Sequence, residues 1–181
     1  MHRKTIGLRS GALLGTMVAC GVVLTGSAFG KDSLEARVRE LEDRIAIKQL
    51  LMGDYPKALD SANWKDYGAL FTDEGVLVIG KTMTKGPAAI EKLFSTPRAP
   101  RQRPAAADGS APAAPRTRAI TKHIVTDVNL TINGDTAIDT AYWQTVALRD
   151  GKTTIAGAGH YRDVLKKVNG VWKFDFREIM N

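Results

Sequence analysis

The feature that most limits the possible folds is a set of tight turns in the second half of the chain. Asn133-Gly134-Asp135, Arg149-Asp150-Gly151 and Asn169-Gly170 each separate long segments rich in β-branched and aromatic residues. Asn-Gly and Asp-Gly pairs tolerate the positive φ angles that connect adjacent antiparallel strands. The reading is four strands, Ala119–Ile132, Ala137–Leu148, Thr153–Val168 and Val171–Met180, in one antiparallel sheet.

The first half has a different period. From Asp32 to Ala62, the apolar residues Leu34, Val38, Leu41, Ile45, Leu50 and Leu51 recur mostly at steps of three and four, which predicts a long helix capped by Asp32 or Ser33. Gly53 and Pro56 are expected to bend its end and re-aim the turn that carries Asp60. A second helix, Trp64–Leu70, a strand, Gly75–Ile79, and a third helix, Pro87–Phe94, follow. Helices first and a long sheet last is an α+β pattern, with the helices packed on one face of the sheet.

Two stretches stand apart. Residues 1–30 open with His2, Arg3, Lys4 and Arg9, run apolar from Ala12 to Leu24 and end in small residues, as a secretory signal cut after Gly30 would. The apolar run is shorter than the roughly 20 residues of a membrane span, so export to the periplasm or medium is expected, with no membrane span after cleavage. Cys20 lies in this segment, and Met17-Val18-Ala19-Cys20 faintly resembles a lipoprotein signal. Residues 95–117 are rich in Pro, Ala and Arg, poor in anything that could be buried, and are read as a mobile insertion. The formal charge of +7 is accounted for by these two stretches together with the adjoining Arg118. With both stretches and Arg118 set aside, the rest of the domain, which spans residues 31–181, is close to neutral, so no nucleic-acid partner is indicated.

The order of short motifs then becomes informative. Tyr55-Pro56-Lys57-Ala58-Leu59-Asp60-Ser61-Ala62-Asn63-Trp64, Leu70-Phe71-Thr72-Asp73, Lys85-Gly86-Pro87, Lys122-His123-Ile124-Val125-Thr126-Asp127 and Asn169-Gly170-Val171-Trp172-Lys173-Phe174 together resemble the SnoaL-like branch of the nuclear transport factor 2-like superfamily. The pattern is most similar to scytalone dehydratase and hexachlorocyclohexane dehydrochlorinase. The resemblance implies a cone-shaped α+β barrel of three helices on a curved, mainly antiparallel sheet around an apolar pocket. It also implies a homodimer, and an Asp-His dyad that removes a proton from carbon. Asp60 and His123 match that dyad. The tyrosines that scytalone dehydratase uses are replaced by Leu59 and Ile79, its second histidine has no counterpart in Ala141 to Val146, and Asp127 stands where many relatives carry Asn.

Apart from the resemblance, histidine with a carboxylate on one ring nitrogen is well suited to moving protons near neutral pH. Asp60 has an ordinary alternative, as the cap of the helix that begins at Trp64. Alternation along the third long strand puts Gly157, Gly159, Tyr161 and Asp163 on one face and His160 and Arg162 on the outer one. Tyr161 is thus a candidate donor to a substrate, and His160 a surface residue. Asp127, four residues after His123, is expected on the same strand face and is a candidate polar contact. Tyr55, Trp143, Trp172, Phe174 and Phe176 are candidate aromatic walls, with Tyr55 and Trp143 assigned to substrate. No cluster at metal-ligand spacing and no phosphate loop is evident, so neither metal nor cofactor is expected. The expected partner is a small hydrophobic molecule, acted on by a lyase or isomerase or merely bound.

Overall fold

The computed structural model describes residues 28–96 and 119–181, with side chains from residue 33 onward. The expected signal segment and insertion fall almost wholly outside these residues. The element order is α1 (Ala28–Gln49), a π-helical turn (Leu50–Asp54), α2 (Tyr55–Asp60), α3 (Trp64–Ala69), β1 (Phe71–Ile79), β2 (Thr82–Lys85) and α4 (Pro87–Ser95). The long strands β3 (Ile120–Asn133), β4 (Thr136–Arg149), β5 (Lys152–Val168) and β6 (Val171–Met180) complete it. One sheet has the order β2-β1-β6-β5-β4-β3, antiparallel throughout except where β1 runs parallel to β6. The expected α+β architecture is therefore present, three helical bodies against a curved, mainly antiparallel sheet.

The turns act as the sequence implies. Asp150-Gly151 and Asn169-Gly170 both have positive φ at each central residue, the mirror-image turn whose twist suits a two-residue hairpin. A further hairpin, Ile79 to Thr82 through Gly80, creates the short edge strand β2 that the sequence reading left out. β1 is also longer than expected, starting at Phe71 because the Phe174 amide donates to the Leu70 carbonyl at 2.9 Å and draws the chain into the sheet.

The first helix differs from expectation in two ways. It is helical from Ala28, so neither Asp32 nor Ser33 caps its start. Its bend is a wide turn in which the Tyr55 amide reaches back to the Leu50 carbonyl. Pro56, which has no amide hydrogen to give, falls just after this register change, where the helical ladder tolerates it. Around the bend, Ile47, Leu50, Leu51 and Tyr55 are buried with Tyr67, Phe71, Leu77, Ile90, Leu165 and Phe174. On the same inner side, Asp43 accepts from the Trp172 indole at 2.8 Å and pairs with Lys167 at 2.6 Å, fastening α1 to the β5–β6 hairpin.

Candidate active site

Asp60 ends α2 and could have capped α3. The cap is instead Asn63, whose side-chain oxygen accepts from the Asp66 amide at 3.2 Å. The Asp60 carboxylate is thereby left to cross to β3. Its Oδ1 lies 2.8 Å from His123 Nδ1 and also accepts from the His123 backbone amide at 3.0 Å. Lys122 Nζ stands 3.4 Å from the other carboxylate oxygen, on a side chain that is 67% exposed.

Two bonds from one oxygen to the amide and ring of a single residue fix the ring in position and plane. An ionised carboxylate only accepts, so it requires the proton on Nδ1 and leaves the Nε2 lone pair available. The Asp60 side chain is 9% exposed and that of His123 22%, so the carboxylate is shielded while the ring stays accessible.

The other expected site residues are distributed differently. Trp143 lies one inward step down the cone from His123, since Val125 pairs with Trp143 and His123 with Thr145 across β3 and β4. Its indole covers the two glycines of β5. A Cβ on Gly157 would sit 3.3 Å from it, and one on Gly159 would lie 2.9 Å from the indole nitrogen and 2.0 Å from the Met180 carbonyl oxygen. Glycine is thus needed for the ring to lie flat there.

Tyr55 and Tyr161 are deeper, 1% and 2% exposed, with their hydroxyls 3.2 Å apart. They are packed core residues and do not line an open pocket. Asp127 is not on the His123 face: it sits at a bulge between Thr126 and Asn129, has φ of 51°, and is exposed. The bulge adds one residue and inverts the alternation, so Val128, Leu130 and Ile132 turn inward in its place. His160 faces outward beside Tyr142, as expected.

The sequence reading missed a buried ionic cluster at the bottom of the cone. Asp139 pairs with Asp163 across β4 and β5, and Asp163 pairs with Arg177 across β5 and β6. Arg177 is fully buried, its Nη2 3.2 Å from Asp163 and its guanidinium carbon 3.8 Å from the ring centroids of both Tyr55 and Tyr161. Burial pushes the Asp139 carboxyl up to about 6 against the pull of Arg177. It pushes Asp163 up to about 7 against the same pull, with Asp139 adding to the rise. A second bulge, near Phe174 and Phe176, turns Arg177 inward. Phe176 turns outward under Arg162, so it is not an interior wall.

With the core filled in this way, the cavities found along the described residues lie elsewhere. One of about 320 Å³ is lined by Asp54, Lys57, Ser61 and Asn63 beside α2. Another, of about 460 Å³, is a groove on the outer sheet face between Ile138, Arg162, Val164 and Phe176. Neither has Asp60 or His123 in its wall. Among the described residues no group of three His, Cys, Asp or Glu side chains is placed to hold a metal ion, and no helix is long and apolar enough to cross a membrane.

Comparison with known proteins gives the same architecture. No curated protein matches the chain in sequence. An NTF2-like protein with a cystatin-like fold from Novosphingobium aromaticivorans is 25% identical, with 82% of this chain and 87% of that one aligned and a TM-score of 0.63. A Mycobacterium tuberculosis protein of unknown function is 17% identical over 78% of this chain and 77% of its own, with a TM-score of 0.61. LinA is 18% identical over 80% and 88%, with a TM-score of 0.59. A model of the SnoaL-like domain matches residues 39–178, and the chain therefore belongs to the SnoaL-like family within the NTF2-like fold.

Proposed function

We propose that this protein is a cofactor-independent lyase or isomerase in which His123, oriented by Asp60, removes a proton from carbon. The observation that carries this is the 2.8 Å contact between Asp60 Oδ1 and His123 Nδ1, reinforced by the amide of the same residue. Family membership supports the reaction class, and LinA and a protein from Novosphingobium aromaticivorans assigned as a scytalone dehydratase share the fold. The substrate is an apolar small molecule with an acidified C–H, next to a carbonyl or a carbon bearing a leaving group.

In the elimination, Nε2 takes the proton and the C–H electron pair becomes the new C=C bond as the leaving group departs with its own pair. Asp60 stabilises the imidazolium, which then returns the proton to a departing hydroxide as water or releases it to solvent after halide loss. In an isomerisation the proton returns to another carbon. Trp143 supplies an apolar face beside the base.

The test is a panel of β-hydroxy ketones and haloalkanes assayed for elimination and for solvent deuterium entering carbon. His123→Ala should lower turnover by roughly 10²- to 10⁴-fold. Turnover independent of His123, or none across the panel, would sink the reading.

The second reading is a binding protein for a small hydrophobic ligand. Its supporting observation is that Tyr55 and Tyr161 are closed into the core. Ligand affinity unchanged in His123→Ala, without turnover, would favour it. The protein is further proposed to be exported, with a mature amino terminus at Lys31 that sequencing of the secreted form would show. Pairing through the outer sheet face is also proposed, on the strength of Ile138 and Tyr142, each 60% exposed.

A further inference from the structure

The apolar residues that make the first helix legible do not all face the core. Ile47, Leu50 and Leu51 are buried, whereas Leu34, Val38, Leu41, Ile45 and Met52 are 59%, 44%, 58%, 69% and 49% exposed. Steps of four, three and four place Leu34, Val38, Leu41 and Ile45 on one stripe of α1, and Met52 follows in the π-helical turn. Because Asp43 and Ile47 fix the inner side of α1, the stripe lies on the side turned away from the domain.

The spacing is that of a coiled-coil seam, in which positions a and d of a seven-residue repeat meet a partner helix. With Val38 and Ile45 at a, Leu34 and Leu41 fall at d. β-branched residues at a with leucine at d favour two parallel strands. The flanking charges agree. Arg37 is at position g and Glu42 at position e, so in a parallel pair Arg37 of each helix faces Glu42 of the other. An antiparallel pair would set arginine against arginine and glutamate against glutamate. Lys48, at the next d position, adds a polar layer that favours one register.

We propose that α1 is a dimerisation helix whose outer stripe pairs in parallel with the same stripe of a second copy. Its amino-terminal part, with Leu34 and Val38, precedes the span matched by the family model, so this pairing is not a requirement of the family fold. A short coiled coil is weak in isolation because the helix must first be formed. Here the domain already holds α1 through Asp43 and Ile47, so association need not supply all of that ordering. The surface is separate from the outer sheet face, and the two pairings can be told apart.

The experiment uses the full chain with Cys20→Ser, so that one introduced cysteine is the sole thiol. Leu34→Cys and Ile45→Cys, made separately and mildly oxidised, should each form a disulfide dimer by itself. In parallel helices equivalent residues meet at every layer. Sedimentation equilibrium of the chain without introduced cysteine should show self-association at micromolar concentration. Val38→Asp combined with Leu41→Asp should weaken it at least tenfold and leave the far-UV spectrum unchanged, since both side chains are exposed in the single copy. Cross-linking that appears only when the two cysteine variants are mixed would mean antiparallel helices and overturn the proposal. So would self-association that the double aspartate variant does not weaken, or a monomer at these concentrations.

Discussion

Two of the places where this domain sets aspartate beside a basic side chain are built for opposite ends. At the rim, Asp60 gives one oxygen to two N–H groups of His123, and the ring keeps contact with solvent. At the bottom, Asp139 and Asp163 share Arg177 where none of the three reaches water, and no side-chain hydrogen bond satisfies their polar atoms. The rim pair is satisfied and accessible, so its energy is available for holding a reactive nitrogen. The deep cluster is desolvated, which ties its energy to folding and to the number of protons it holds.

That contrast is broken most severely at Arg177. Replacing it with Ala should remove the one cation opposite two buried carboxylates and cost about 3 to 5 kcal/mol of stability, visible as a much lower denaturant midpoint. An equally stable variant would mean that the cluster does not fold around this charge.

The next effect is on pH. Both deep carboxyls titrate above the ordinary aspartate range, Asp139 at about 6 and Asp163 at about 7. The folded protein therefore binds more protons than the unfolded chain between about pH 4 and pH 7. Stability should fall as pH rises through that window. Asp139→Asn should flatten the slope in urea titrations at several pH values, whereas Asp60→Asn should leave it in place. A slope unaffected by Asp139→Asn would assign it to other groups.

Smaller effects sharpen the rim side. Asp60→Asn should cost roughly 1.5 to 3 kcal/mol, the range for a hydrogen bond to a charged group, while lowering any His123-dependent turnover far more than affinity. Asp127→Ala, in an exposed bulge, should change stability by less than about 0.5 kcal/mol and leave turnover intact. A large loss there would return Asp127 to the site.

The same contrast explains what could be read from the sequence. The helix-then-hairpin order and the α+β class depend on turn chemistry and helical period, which are local, whereas the Asp60–His123 pairing, 63 residues apart, was legible only through the family resemblance. The positions of Asp127, Phe176 and Arg177 depend on strand phase, which reverses at the two bulges. A bulge adds one residue to a strand without a distinctive residue type, so strict alternation sends Asp127 inward and Arg177 outward, the reverse of what is found. Asp163, on the inner face with Tyr161, and Asp139, between inward-facing Ala137 and Ala141, are the legible signs of buried charge. The exposed stripe of α1 was visible as period, but period alone does not say which partner it faces.

The most direct test of the account is the protonation pattern of the His123 ring, read from its imidazole ¹⁵N shifts and N–H couplings at neutral to mildly alkaline pH. The account predicts a proton on Nδ1, an unprotonated Nε2, and loss of this preference in Asp60→Asn. A proton on Nε2 in the unaltered protein would contradict it, because the nitrogen proposed to take the substrate's proton would already carry one.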